Sequence, residues 1–151
     1  MSLATTTRLV RTLKELMANL TEVERHVHED LSVYTWRPNV PLVPCIWNWL
    51  DQAPWEQMDL GRQRDNFTVI AVLAVAHGDN QETMDVLTDY VDAFRETIDP
   101  ALFTSAPLGC KEAHRLGMRM AEQTFGGENG TSYLSVEFPL LCKMDRHIER
   151  S

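Results

Sequence analysis

One stretch near the middle of the chain predicts the centre of a β-sheet. Its sequence is Phe67-Thr68-Val69-Ile70-Ala71-Val72-Leu73-Ala74-Val75-Ala76. Successive side chains of a strand point to opposite faces, so a strand buried on one face alternates between apolar and polar residues. This run is apolar on both parities, which is typical of a central strand covered on both faces. The sequence therefore predicts a sheet whose middle strand lies between two layers.

Two amphipathic helices are predicted, one near the N-terminus and one after this strand. The first has an apolar stripe at the helical period, formed by Leu9, Leu13, Leu16, Met17 and Leu20. The second begins with a capping-box-like pair, Asp79 and Glu82, and is expected to end at Pro100. Its buried stripe is expected at Met84, Leu87, Val91, Phe94 and Ile98.

Strands are also predicted at residues 45–50, which are rich in aromatic and β-branched side chains, and at residues 132–143, which alternate well. Pro139 inside the last strand favours an edge position or a bulge. Residues 113–125 fit either a strand or a helix, and we prefer a strand because the last strand needs a partner. The segment 23–33 is a weak strand candidate, and the three prolines of residues 36–44 require an extended backbone.

The polar stretch 51–66 lies between two predicted strands. It is too long for a tight hairpin turn, so we expect a projecting, partly β-structured loop. Together these elements predict an α+β fold with a small mixed or antiparallel sheet and two main helices packed on it. With 151 residues the chain has the length of one domain. That domain is expected over residues 1–143, with a loose, charged tail at 144–151.

Composition restricts the class of protein. At 44% hydrophobic and 24% charged residues the chain is expected to fold, and no apolar run reaches the ~20 residues of a membrane span. The N-terminus lacks the pattern of a signal peptide, so we expect a cytoplasmic protein unless it leaves within a particle. The net charge of −8 argues against tight binding of nucleic acid, because phosphate binding requires basic residues. A negatively charged surface still allows DNA to pass without binding it.

Candidate catalytic and metal-binding residues are few. Residues His26 and His28, with Glu29 and Asp30, could hold a metal on a strand, but surface histidines are the simpler interpretation. Cys110 and His114 could form a nucleophilic pair, but no catalytic signature surrounds them. No glycine-rich phosphate loop follows a strand and opens a helix. We therefore expect no enzymatic activity and no cofactor.

The cysteines do not form a disulfide framework or a zinc site. Cys45, Cys110 and Cys142 are odd in number and far apart in the sequence. Buried thiols in a reducing compartment are therefore expected.

Two surface features stand out in the sequence. The second helix carries one basic residue, Arg95, and seven acidic residues: Asp79, Glu82, Asp85, Asp89, Asp92, Glu96 and Asp99. This acidic surface indicates a solvated face, a contact with a basic partner or the lining of a channel. The four tryptophans are Trp36, Trp47, Trp49 and Trp55. Trp47 and Trp49 share one strand parity and suit a core, whereas Trp55 lies in a polar stretch and is an interface candidate.

This order of elements resembles the tail terminator, or tail completion, proteins of long-tailed phages of the lambda type. The matching features are an N-terminal helix, the proline-marked entry Val40-Pro41-Leu42-Val43-Pro44-Cys45-Ile46-Trp47, a long polar loop, the apolar strand 66–76, the acidic helix 79–98 and the closing strand 132–143. The resemblance spans nearly the whole chain. It depends on the order of the elements and on their patterns of apolar, polar and charged residues, because the family has no catalytic motif.

The resemblance implies a ring, typically a hexamer, on the end of the tail tube at the tail–neck junction of the virion. The partners would be copies of the chain, the tube protein and the head–tail connector, with DNA only passing through. Ring contacts are expected from exposed loop residues: Trp55, Asp59, Arg62, Arg64, Gly127 and Asn129. A ring lumen could be lined by Asp85, Asp89 and Asp92.

Three alternatives remain at the level of sequence. A head–tail joining protein of the neck has a similar size and a similar mixture of α and β elements. A small metal-dependent enzyme would use His26, His28 or Cys110. A bacterial regulatory binding module is the third.

Overall fold

The computed structural model describes residues 2–18, 31–52, 54–76, 81–104, 112–126 and 130–147. These residues form two helices and seven strands in the following order: α1 (Ser2–Ala18), β1 (Ser32–Val33), β2 (Cys45–Gln52), β3 (Trp55–Asp59), β4 (Arg62–Ala76), α2 (Gln81–Thr104), β5 (Glu112–Arg115), β6 (Arg119–Phe125) and β7 (Thr131–His147).

The sheet is built on two long antiparallel strands, β4 and β7, which pair from Arg62 opposite His147 to Ala76 opposite Leu134. The other edge of β4 pairs with β2 over its second half and with β3 over its first half. The other edge of β7 pairs with β6 and then with β5. Strand β1 adds to β2 in parallel. The α+β class with a mixed sheet is confirmed, and seven strands make the sheet larger than predicted.

Both faces of the central strands are covered, as the run 67–76 predicts. On one face, α2 packs against β4, β5 and β7, α1 packs against β1 and β2, and together they cover the main core. In this core the rings of Phe94 and Phe138 stack with centroids 3.9 Å apart. On the opposite face a smaller core forms around Trp47 and Val72, with Phe125 from β6. The apolar stripe of α1 is confirmed at its buried members Leu9, Leu13 and Met17.

Helix α2 differs from the prediction at two points. It continues through Pro100 to Thr104, so the expected end at Pro100 is wrong. Pro100 is exposed. Its nitrogen cannot donate a hydrogen bond to the carbonyl one turn earlier in the helix, but water can hydrate that carbonyl on the exposed side. Leu87, Val91, Phe94 and Ile98 are buried as expected, but Met84 is partly exposed.

The last strand is longer and more central than expected. It extends to His147, so residues 144–147 are paired with β4 and are not part of a loose tail. Pro139 is not on an edge strand, because β7 has neighbours on both sides. It lies where one side of β7 changes partner, between Glu137 opposite β6 and Leu140 opposite β5. A missing N–H is tolerated at such a break in pairing.

Two predicted segments are more regular than expected. Residues 113–125 form strand structure, as preferred, but as two strands separated at residues 116–118. The stretch 51–66, expected to be a projecting and only partly β-structured loop, is largely strand, and a tight turn joins β3 to β4 within it. Residues 19–30 lie outside the described residues, as do Asp79, Cys110, Gly127 and Asn129.

A buried polar side chain lies in the main core. Asn48 of β2 is opposite Ala71 on the helix side of the sheet and is fully buried. Neither its Oδ1 nor its Nδ2 has a hydrogen-bond partner in the described part of the chain. An unpaired buried amide costs about 1–3 kcal/mol relative to its hydrated state.

Replacing Asn48 with Leu, which has a similar shape, is therefore expected to raise the free energy of unfolding by about 1–3 kcal/mol. Urea denaturation followed by circular dichroism measures the change. Asn48→Ala is the control, because it removes the amide but leaves a cavity. A Leu variant less stable than the native protein would show that the Asn48 amide is satisfied in solution.

Candidate assembly surface

A β-hairpin formed by β3 and the first half of β4 extends beyond β2. Residues Leu60 and Gly61 form its turn, and Asp59 opposite Arg62 closes it. The Asp59 carboxylate accepts a hydrogen bond from the Gly61 N–H at 3.0 Å and pairs with the Arg62 guanidinium at 3.2 Å. This side-chain bond two residues along the chain is the reason that Asp suits the start of such a turn.

The hairpin exposes apolar side chains. Trp55 is 61% exposed and Leu60 is 77% exposed, with Met58 between them at 40%. All residues of β3 are exposed, and β2 pairs with β4 only from Thr68 onwards, so it does not flank the hairpin. The expectation that Trp55 is exposed is confirmed. Large apolar side chains grouped on a projecting element are typical of a contact surface.

The charged residues predicted at the interface fall into two kinds. Asp59 and Arg62 are exposed and pair with each other. Arg64 is less exposed, and its Nε lies 2.7 Å from the Asp145 carboxylate of β7. This hydrogen bond raises the pKa of Arg64 and neutralises its charge within the chain. The structure thus places Arg64 in a cross-strand pair that supports the hairpin.

A second apolar surface lies between α2 and the start of β6. It is a groove of about 240 Å³, which we call the methionine groove, and its lining includes Met84, Leu87, Val91, Met118 and Met120. Both Met118 and Met120 are about half exposed. The sequence signals were available, since Met84 lies on the apolar stripe of α2 and Met118 alternates with Met120. Met84 was expected to be buried, because sequence alone does not show that the layer above it is incomplete.

Asp85, Asp89 and Asp92 lie on the side of α2 opposite its buried stripe. Asp85 is exposed, and Asp89 and Asp92 are half-buried on the same outer side of the helix. At the C-terminal half of this face, Arg115 of β5 pairs with Asp99 at 3.1 Å. The face is therefore acidic along its length and partly neutralised at one end.

The aromatic face of the sheet opposite the helices is only partly closed. Trp47 is buried there, whereas Trp49 is about half exposed on the same face. The Arg37 guanidinium lies 4.2 Å from the centroid of the Phe125 ring and donates to the Thr124 carbonyl. This cation–π contact helps hold the extended segment before β2 against β6. Nothing in the sequence pairs Arg37 with Phe125, which lie far apart in the chain.

The candidate catalytic residues are not assembled into a site by the described residues. His114 of β5 lies 3.4 Å from the Glu112 carboxylate, but Cys110, His26 and His28 are outside the described ranges. Within those ranges no group of three or more His, Cys, Asp or Glu is placed to hold a metal ion. Neither α1 nor α2 is long and apolar enough to cross a membrane.

The two described cysteines, Cys45 and Cys142, are buried, as expected. Burial raises the pKa of the Cys45 thiol to about 12. At about pH 8.5 an ordinary thiol is half ionised, and only the thiolate reacts with iodoacetamide. We expect Cys45 alkylation to be roughly 1000-fold slower in the native than in the denatured protein. Peptide mass spectrometry measures both rates, and similar rates would contradict the burial.

The sequence matches no protein-family model and no curated protein.

Proposed function

We propose that copies of this chain assemble into a closed ring on the end of a phage tail tube. The ring stops the tube from growing and presents a surface to the head–tail connector. By its resemblance to lambda-type tail terminators the ring is a hexamer, located in the virion at the junction of tail and neck. The observation that carries the proposal is the projecting hairpin with its exposed Trp55 and Leu60.

The hairpin supports self-assembly because its apolar side chains have no cover in the described part of the chain. A tryptophan and a leucine exposed to this extent on one arm are unfavourable in water unless a partner buries them. Aromatic side chains are also among the residues that contribute most to binding at protein interfaces. A structural protein that works by contact with copies of itself and with a tube needs such a surface.

The sheet offers further contacts. Within the described residues, β3, β5 and β6 each pair with one strand only, so each has an outer edge that can accept a strand. A contact between two different patches of the same chain repeats around an axis and closes into a ring if the rotation permits. The acidic outer face of α2, with Asp85, Asp89 and Asp92, then suits a lumen through which DNA passes without binding.

The test is whether the purified chain caps tubes. Native mass spectrometry and electron microscopy are expected to show a ring, and adding it to polymerising tail tube protein should stop tube growth. The double variant Trp55→Ala, Leu60→Ser should lose both properties while remaining folded. Trp36→Ala is the matched control, because Trp36 is an exposed tryptophan outside the hairpin. Arg64 is left intact, since its substitution would break the pair with Asp145.

The outcome also separates this proposal from a role in the neck. A tail terminator is found on headless tails, whereas a head–tail joining protein is found on tail-less heads. A chain that stays monomeric, or rings that leave tube growth unchanged, would overturn the proposal.

A further inference from the structure

A concave cleft lies on the face of the sheet opposite the helices. A row of paired residues crosses four strands there, from Trp47 through Val72 and Glu137 to Arg119. Phe125 lies six residues beyond Arg119 on β6, so in a flat sheet it would be roughly 20 Å along the strands and roughly 14 Å across them from Trp47. The rings of Trp47 and Phe125 are nevertheless 5.6 Å apart. The sheet therefore curls strongly, and this face is the inside of the curl.

The cleft has the size and the lining of a small binding site. Its volume of about 180 Å³ equals that of about six water molecules in the liquid. The lining includes Ile70 and Val72 of β4 and the buried ring of Trp47. Trp49 also lines the cleft and is about half exposed, so part of its indole is available for contact. Apolar and aromatic walls with a few polar groups are typical of sites that bind small groups.

The acidic group in the lining is already paired within the chain. One carboxylate oxygen of Glu137 accepts a hydrogen bond from Arg119 Nε at 2.6 Å, and the other accepts one from Gln123 Nε2 at 3.0 Å. The charge of Arg119 balances that of Glu137. Glu137 therefore does not make the cleft a site for a cation.

The basic group in the lining, Arg37, is held in place but keeps its charge. Its guanidinium donates to the Thr124 carbonyl at 2.6 Å and lies 4.2 Å from the centroid of the Phe125 ring. Neither contact carries a negative charge, and no carboxylate in the described part of the chain forms an ion pair with Arg37. A guanidinium has several N–H donors, so donors remain that suit a carboxylate. The cleft is therefore apolar at its base and positive at its edge.

We propose that this cleft binds a carboxylate carried on a small apolar group. The apolar group packs against Trp49 and Ile70, and the carboxylate accepts hydrogen bonds from Arg37. Two sources share this chemistry: a free small carboxylic acid, and an acidic residue beside an apolar one on another copy of this chain. The inference does not depend on the proposed ring.

The test uses phenylacetate as the probe and phenylacetamide as its uncharged match. Binding is followed through the tryptophan indole N–H signals in NMR spectra of nitrogen-labelled protein, and the Trp49 signal is identified by its absence from Trp49→Ala. Phenylacetate is expected to shift this signal and to bind about 5-fold more tightly than phenylacetamide, as expected for one exposed ion pair. Equal binding of the two probes, or no binding of phenylacetate, would overturn the inference.

Two variants separate the charged and the apolar parts of the site. Arg37→Gln is expected to weaken phenylacetate binding about 5-fold, to the level of phenylacetamide, because it removes the charge. Trp49→Ala should abolish the binding of both probes. Trp36→Ala is the matched control, because Trp36 is exposed beside Arg37 in the sequence but does not line the cleft. Circular dichroism checks that each variant is folded, and a folded Arg37→Gln variant with native affinity for phenylacetate would contradict the inference.

The same probe identifies the source of the carboxylate. If an acidic residue of another copy occupies the cleft, saturating phenylacetate and the Arg37→Gln substitution should both weaken assembly, measured by sedimentation. If the occupant is a free carboxylic acid, assembly is unchanged while the probe still binds. Both results uphold the site. A chain that binds phenylacetate but forms no ring would remove the proposed function and keep this inference.

Discussion

Replacing Phe138 with Ala is expected to lower the free energy of unfolding by about 3–5 kcal/mol. Phe138 is fully buried at the centre of β7 and stacks on Phe94 of α2 with nearly parallel rings. The truncation removes apolar contact area and leaves a cavity between the sheet and the helix layer. For a domain of this length the melting temperature should fall by about 10 °C.

Chemical denaturation of Phe138→Ala and of the more conservative Phe138→Leu separates the contribution of the filled volume from that of the aromatic stack. Phe138→Leu keeps most of the volume and is expected to cost less than about 2 kcal/mol. Equal losses for Phe138→Ala and Phe138→Leu would indicate that the aromatic stack, more than the filled volume, stabilises the helix layer. A loss below 1 kcal/mol for the Ala variant would contradict the burial of this ring.

Replacing Trp47 with Ala is expected to cost about 3–5 kcal/mol on the other side of the sheet. Trp47 is 1% exposed and packs edge-to-face on Phe125, with ring centroids 5.6 Å apart. It fills the centre of the smaller core, which joins β2 to β6 across β4 and β7. Its loss should therefore loosen β6 in addition to lowering stability.

Trp49→Ala is the matched control, because Trp49 lies two residues along the same strand on the same face. Since Trp49 is about half exposed, its truncation is expected to cost less than about 1.5 kcal/mol. Equilibrium unfolding of both variants provides the comparison. Hydrogen exchange of the β6 amides should rise only in Trp47→Ala. Equal costs for the two substitutions would show that the smaller core does not contribute to stability.

Local pattern was sufficient to predict most of the regular elements. The apolar run 67–76 was expected to be a central strand, and both of its faces are covered. The alternation of residues 132–143 was expected to place Phe138 on one face with Leu140, and both are buried there. These predictions held because the period of apolar residues reflects the backbone geometry of a strand or helix directly.

Predictions about the ends and borders of elements were less successful. Pro100 was expected to end α2, and residues 144–147 were expected to be loose, yet both lie within regular structure. Residues 144–147 pair with Arg62–Asp65 of β4, and Leu102, beyond Pro100, is buried in the main core, so both outcomes depend on residues distant in the sequence. A local signal such as a proline or a charged run cannot report on such partners.

The amino-acid sequence was enough to establish the class of the fold, the buried faces of its main elements and the exposure of Trp55. The tertiary structure alone determined that β3 and β4 form a hairpin beyond β2, that Arg64 pairs with Asp145, and that Met84, Met118 and Met120 form an open groove. The physical reason for this division is that the period of apolar residues along the sequence shows which face of a helix or strand is apolar. Whether another layer covers that face depends on contacts between residues far apart in the chain.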